Sequence, residues 1–279
     1  MRVRHWSWNG LAAVSAVCAL GACATGQVFA PPDETYARSS QALEMPMRAL
    51  FPSDVGEYTC DYAEDRILYN GNTTLQLANC LLEAPSGSRT LAITSSGGNV
   101  DIAIYVAELV HGVGLDVEVI GWCASSCANY VLPAAERVIL DQHSVVFVHG
   151  APTAPDRDAL VAAISKAGCA PDSPGFDDIV DDNMKRSELT YRLHGNFMAR
   201  FNVGAAYYDV SDIYSGPHQA TKPGASNLVL VDPAWLAACL PGVEIVAEPP
   251  NLQGLQGLFP RYNLVSFSQA RGDGYDCSP

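Results

Sequence analysis

Three short segments of the 279-residue chain carry residue types able to perform acyl-transfer chemistry. The first is Ser95-Ser96-Gly97-Gly98-Asn99, between an apolar run and a helical pattern. Adjacent glycines at such a junction admit backbone conformations closed to other residues, so their N–H groups can face a cleft. N–H groups at a helix start suit a developing oxyanion. The second segment is Gly121-Trp122-Cys123-Ala124-Ser125-Ser126-Cys127-Ala128. There a serine opens a helix among small neighbours; its plain alternative role is an N-cap. The third is Ser144-Val145-Val146-Phe147-Val148-His149-Gly150, where a histidine ends an apolar strand. A serine hydroxyl needs a base at neutral pH, and an imidazole supplies one. Each segment alone has an ordinary structural explanation. Their order joins them: Ser125 follows Gly98 by 27 residues, and His149 follows Ser125 by 24.

Positioning these groups calls for alternating strands and helices. The pattern predicts short strands near Glu57–Cys60 and Arg66–Tyr69, and a buried strand at Thr90–Thr94. In Val100–His111, residues Ile102, Tyr105, Val106, Leu109 and Val110 fall at helical spacing before Gly112 and Gly114. Leu115–Ile120 is a β-branched run and reads as a second buried strand. Ser125–Leu132 reads as a mostly apolar helix, and Arg137–Leu140 and Val145–Val148 as further strands. Leu228–Val231 is expected to return to the sheet before a helix at Pro233–Cys239. This alternation implies an α/β fold with a largely parallel sheet covered by helices. Residues 152–210 are acidic and helical and read as an insertion; the tail beyond Pro249 has no clear period.

The three motifs together resemble the Clp protease proteolytic subunit and its relatives in the ClpP/crotonase superfamily, some of them periplasmic or membrane-associated. In that family a Ser-x-Gly-Gly turn contributes to the oxyanion hole, and a serine opening a small-residue helix is the nucleophile. An Arg-Val-x-x-x-x-x-Ser-x-Val-x-x-His stretch supplies the base. This chain has Ser96-Gly97-Gly98, Ala124-Ser125, and then Arg137-Val138, Ser144, Val146 and His149. The resemblance covers residues 88–150 and, more weakly, 226–245. It implies a spiral of repeated β-β-α units, with one domain over 46–279 and the helical insertion at about 152–210 inside it.

It also implies roles. Ser125 is the nucleophile and His149 the base, while the N–H groups of Gly98 and Ser126, with Gly97, hold the oxyanion. Ser126 is a rival nucleophile by type, but the small-residue run aligns on Ser125. The family's downstream Asp has no obvious counterpart: an ungapped comparison puts Asn227 there, with Asp209, Asp212 and Asp232 as alternatives. Asn orients an imidazole but brings no charge. His111, His143, His194 and His218 match no family position and read as surface residues. The resemblance implies a peptide or protein substrate, no cofactor, and a homo-oligomer by analogy with ring-forming relatives. The alternative is a catalytically inactive ClpP-fold protein that binds or scaffolds in the cell envelope. Acyl-thioester chemistry is a further one, but no basic phosphate-binding cluster is visible.

At the N-terminus, Arg2 and Arg4 precede the apolar run Leu11–Leu20, which has the length of a signal-peptide core and is too short to span a bilayer. Leu20-Gly21-Ala22-Cys23 resembles the lipobox of bacterial lipoproteins. That resemblance implies cleavage before Cys23, lipidation of Cys23, and a mature protein anchored on the periplasmic side of a membrane. Residues 1–22 are then the signal peptide, and the polar, Pro-rich 23–45 a tether. The competing cut, after Ala30, gives a secreted or periplasmic protein.

The net charge of -14 argues against nucleic acid as a partner and against adsorption to anionic lipid, so a lipid anchor is the only membrane contact expected. Of nine cysteines, Cys18 and Cys23 fall in the signal and lipobox, leaving Cys60, Cys80, Cys123, Cys127, Cys169, Cys239 and Cys277. Export predicts disulfides, and the odd number predicts a remaining thiol. Cys123 and Cys127 are expected to bridge to each other, to bridge to a distant cysteine such as Cys169, or to pack as small apolar residues. No CxxC spacing occurs, and no metal is expected.

Overall fold

The computed structural model describes residues 58–148, 150–208, 226–231, 233–248 and 262–266, with backbone only for 226–230 and 262–266. The expected signal peptide, the expected lipid site Cys23 and the expected tether lie outside the described residues. The described chain divides into two compact units: one up to Gly150 and from Asn196 onward, the other Ala151–Gly195.

The larger unit is organised by a sheet of β1 (Thr59–Ala63), β2 (Arg66–Asn70), β3 (Thr90–Ser95), β4 (Asp116–Ala124), β5 (Arg137–Leu140) and β8 (Glu244–Ala247), in that order, and β6 (Val145–Phe147) also pairs with β4. Strands β1 (Thr59–Ala63) and β2 (Arg66–Asn70) form an antiparallel hairpin. Every other pairing in this sheet is parallel. Between β2 and β3 (Thr90–Ser95) the chain forms α1 (Leu75–Leu82), a helix with no sequence-based expectation. A disulfide between Cys60 and Cys80 ties β1 to it. Strand β3 is central, and Leu91, Ala92 and Ile93 are fully buried, as an apolar strand covered on both faces should be.

Helix α2 (Val100–Val113) starts where its cap chemistry allows. The Asn99 side chain accepts the Ile102 N–H at 3.0 Å, and Gly114 closes the far end. The next strand, β4 (Asp116–Ala124), runs four residues beyond the Leu115–Ile120 expected for it. Its inward side chains alternate through Val117 and Val119 to Cys123.

The extension comes from a bulge. Ile93 pairs with Val119 and Ser95 with Cys123, so β4 carries two more residues than β3 over this interval. Gly121, at φ +79°, lies within it. Before the bulge, Val117–Val119 pair with β5 (Arg137–Leu140). After it, Trp122–Ala124 pair with β6 (Val145–Phe147). Besides β3, the strand thus serves two further partners and delivers its C-terminal end to a different one from its start.

The expected return of Leu228–Val231 to the main sheet is corrected. Strand β7 (Ser226–Leu230) pairs in parallel with β9 (Tyr262–Ser266) as a separate two-stranded sheet. The main sheet is instead completed by β8 (Glu244–Ala247), beside β5. Helix α5 (Pro233–Cys239) forms as expected, with Trp235 and Leu236 buried and Cys239 in a disulfide.

The smaller unit holds α3 (Arg157–Lys166) and the start of α4 (Phe176–Phe201). Asp156 caps α3, accepting the N–H groups of Asp158 and Ala159 at 2.9 and 3.1 Å. Ile164, Cys169, Phe176 and Val180 form this unit's own small core. The Arg157 guanidinium bridges Asp177 and Asp181 on α4, so part of the acidic run holds the two helices together.

Candidate active site

The glycine turn lies between the end of β3 and the cap of α2, and a neighbouring loop holds it. The Thr73 N–H donates to the Gly97 carbonyl at 2.8 Å, and the Gly71 N–H donates to the Thr94 carbonyl at 3.0 Å. The Thr73 and Ser95 hydroxyls meet at 3.2 Å, and Ser95 Oγ also accepts the Gly97 N–H at 3.1 Å. Thr73 and Ser95 are fully buried, so the turn is pinned by satisfied polar groups in a dry setting.

Both glycines are required by space. At Gly97, φ is +89°, and a Cβ would sit 2.5 Å from Ser125 Cβ, 2.6 Å from the Ala124 oxygen and 2.8 Å from the Ser126 nitrogen. At Gly98, a Cβ would sit 2.5 Å from the Thr73 carbonyl oxygen. The glycine turn can lie directly against the Ser125 turn because Gly97 carries no side chain.

Ser125 leaves β4 at φ +56°, a region that costs a residue with a Cβ some backbone energy. Its N–H donates to the Phe147 carbonyl at 2.9 Å, and its own carbonyl accepts the Asn129 N–H at 2.8 Å. A serine in left-handed geometry between a strand and a helical turn has the backbone form of a nucleophile elbow. The expected helix from Ser125 begins instead as a π turn, Cys127–Val131, in which the Leu132 N–H reaches back to the Cys127 carbonyl. A 3-10 turn, Leu132–Ala134, follows. Such π turns recur at functional sites. Cys123 and Cys127 form a disulfide with each other, which resolves the alternatives left open for them and closes a short ring around Ser125 and Ser126. Cys169 is a buried thiol in the smaller unit.

Ser126 is buried, and its Oγ accepts the Gly98 N–H at 2.6 Å. One expected oxyanion donor is therefore directed at the serine turn, with the Ser126 hydroxyl standing in front of it.

His149 lies outside the described residues. The segment leading to it does not: Trp122, Cys123 and Ala124 pair with Val145, Val146 and Phe147, and Phe147 precedes position 149 by two residues. Asn227 lies in β7 opposite Asn263, with its side chain outside the described set. The Val231 N–H, just past β7, donates to the Val146 carbonyl at 3.0 Å, so the end of that segment lies against β6. Asp209, Asp212 and Asp232 are likewise outside the described residues.

Two further residues have no counterpart in the sequence-based expectations. The Tyr207 hydroxyl donates to the Ala128 carbonyl at 2.8 Å, and the Tyr208 hydroxyl donates to the Asn129 carbonyl at 3.0 Å. Both carbonyls belong to the π turn that follows Ser126. Burial raises the pKa of Tyr207 and Tyr208 above the usual phenol range, so both stay protonated donors. Tyr130, in the same turn, is raised by burial and by the Asp101 carboxylate. Tyr207 stacks on Trp235 at 5.0 Å, and Tyr130 meets Phe197 edge-on at 5.1 Å. No local pattern marks the two tyrosines, because their targets lie 79 residues away. One histidine reading is also corrected: His194 is buried rather than at the surface, and burial pushes its imidazole down to about 4.

Among the described residues, no group of three or more His, Cys, Asp or Glu is gathered to hold a metal ion. No helix among them is long and apolar enough to cross a membrane.

No protein-family model matches the chain, and no curated protein matches it. Among solved structures it is similar to an enoyl-CoA hydratase from Mycobacterium avium subsp. paratuberculosis K-10, at TM-score 0.30 and 13% identity over 54% of this chain and 88% of that one. It is also similar to an enoyl-CoA hydratase from Bacillus halodurans, at 0.28 and 7% over 51% and 85%. A third, from Bacillus anthracis, stands at 0.27 and 13% over 57% and 82%. Likenesses this distant carry no weight for the reaction. The architecture rests on the chain's own strand pairings: an α/β fold whose mostly parallel sheet is flanked by helices.

Proposed function

We propose that the chain is a serine hydrolase, a peptidase by reaction class, with Ser125 as nucleophile and His149 as base. One observation carries the reading. Ser125 occupies a strand-to-helix turn at φ +56° directly against Gly97, and the adjacent Gly98 N–H points at the same turn. In the proposed reaction Ser125 Oγ attacks an acyl carbonyl while His149 takes its proton. The carbonyl oxygen becomes an oxyanion facing the N–H groups of Gly98 and Ser126. His149 then protonates the leaving group, and water releases the acyl chain from Ser125. Asn227 is the proposed orienting partner of His149, with Asp209, Asp212 and Asp232 as rivals.

The test is labelling of the folded, oxidised protein by a fluorophosphonate. Wild type should be labelled at Ser125, and Ser125→Ala should not. Equal labelling of the two proteins would end the proposal. One observation favours the second reading, an inactive binding or scaffolding protein of the cell envelope: the Gly98 N–H is already occupied by Ser126. Absence of any labelling in wild type and in every serine variant supports that reading.

The proposed location is the periplasmic side of a bacterial membrane, with the lipid on Cys23. The disulfides Cys60–Cys80 and Cys123–Cys127 support an oxidising compartment. Metabolic labelling with an alkyne fatty acid should be lost in Cys23→Ala; unchanged labelling would refute the anchor.

A further inference from the structure

The Gly98 N–H donates to the Ser126 hydroxyl oxygen at 2.6 Å. The glycine turn is held in place: a Cβ on Gly98 would meet the Thr73 carbonyl oxygen at 2.5 Å, and the Gly97 carbonyl accepts the Thr73 N–H at 2.8 Å. The Ser126 hydroxyl turns about a single torsion with three staggered wells. It accepts the N–H that an oxyanion formed at Ser125 would need as its donor.

We propose that Ser126 is a latch on the oxyanion donor. Its hydroxyl holds the Gly98 N–H in the resting enzyme and must rotate away as the tetrahedral oxygen develops. This rests on the reading of Ser125 as nucleophile and adds a positioning residue to it, since Ser126 acts through the Gly98 amide. The latch equals one ordinary hydrogen bond, so releasing it should speed the chemical step roughly 2- to 12-fold. Binding that precedes the chemical step should be unchanged.

The experiment follows a fluorophosphonate, whose reaction forms a bond from Ser125 Oγ to phosphorus and expels fluoride. The rate at saturating probe and the half-saturating concentration are measured separately for wild type, Ser125→Ala, Ser126→Ala and Ser126→Thr. Beside this, the Gly98 amide proton is observed in protein carrying 15N-glycine.

In Ser126→Ala the saturated rate should rise 2- to 12-fold with an unchanged half-saturating concentration, and the Gly98 proton should move upfield. Ser126→Thr, which restores a hydroxyl, should return both towards wild type. Reaction in Ser126→Ala but none in wild type supports the latch still more strongly. A Ser126→Ala rate equal to or below wild type overturns the latch, and loss of labelling in Ser125→Ala then leaves the hydrolase reading intact. Labelling lost in Ser126→Ala but kept in Ser125→Ala overturns both, making Ser126 the nucleophile. An unmoved Gly98 proton overturns the latch without any reference to activity.

Discussion

Replacing Gly97 with alanine places a methyl group where the structure has no room. The new Cβ would lie 2.5 Å from Ser125 Cβ and 2.6 Å from the Ala124 oxygen, at a backbone φ of +89°. Left-handed geometry costs a residue with a Cβ roughly 1–2 kcal/mol, and overfilling a packed site costs roughly 1–3 more. The atoms in the way are backbone and a Cβ, so no flexible side-chain end can swing aside. Gly97→Ala should therefore lose about 2–5 kcal/mol of stability, read from urea denaturation with disulfides intact. Whatever relief the chain finds must displace Ser125 by a fraction of an ångström to an ångström. A shift of that size costs on the order of 100-fold in a reaction at that serine. The paired assays are the urea midpoint and the fluorophosphonate rate on protein folded well below that midpoint. A Gly97→Ala protein within about 0.5 kcal/mol of wild type, labelled at the wild-type rate, would refute the close approach of the two turns.

Other perturbations have defined outcomes. Tyr207→Phe strips the Ala128 carbonyl of its donor inside a dry core and should cost about 1–3 kcal/mol in urea denaturation, whereas an exposed Tyr105→Phe control should cost almost nothing. Replacing Cys123 and Cys127 together by alanine opens the ring around Ser125; for so short a loop the loss is about 2 kcal/mol, seen as a lower melting temperature, and Ser125 labelling should slow with it. Burial of His194 depresses its folded pKa from 6.5 to about 4, so the native state binds fewer protons than the unfolded chain between those values. Stability from this group is full above pH 6.5 and falls by roughly 2–3 kcal/mol as pH drops towards 4. His194→Gln should flatten that part of the urea-midpoint profile relative to wild type.

Local patterns were readable where one element satisfies its own chemistry. Helix α2 shows its apolar spacing and its closing Gly114 within one window, and β3 is a plain apolar run. Features set by distant partners were not readable. Helix α1 spans only eight residues, and Leu75 and Leu82 at its ends are more than half exposed, which blurs any apolar face. The continuation of β4 past Gly121 depends on a bulge against β3 and on the ladder to β6, while Gly-Trp-Cys-Ala itself breaks the β-branched run. Strand β7 finds its partner in β9, more than thirty residues later in a stretch without a clear period.

At the candidate site the same division holds. The order of the motifs and the resemblance they carry imply one site for the Gly97 and Ser125 segments, but not their direct contact. The Cys123–Cys127 bridge was one of three open outcomes, since spacing alone does not set how a strand end and a π turn face each other. The Tyr207 and Tyr208 hydroxyls bond to backbone carbonyls, which carry no side-chain signature to read.

The divided strand β4 has a consequence for the order in which the protein matures. Its first half can join β3 and β5 using only short parallel ladders and the helices that cover them. Its last three residues pair with β6 through a separate ladder three residues long, on the far side of the bulge. This half also meets β3 at a single register position, Ser95 with Cys123, against four for Asp116–Val119, so it should close late in folding and open first in the native state. Amide exchange should therefore be faster at Trp122–Ala124 than at Val117–Val119. The serine turn is then the last part of the sheet to be assembled, and it is assembled only on a sheet already complete behind it.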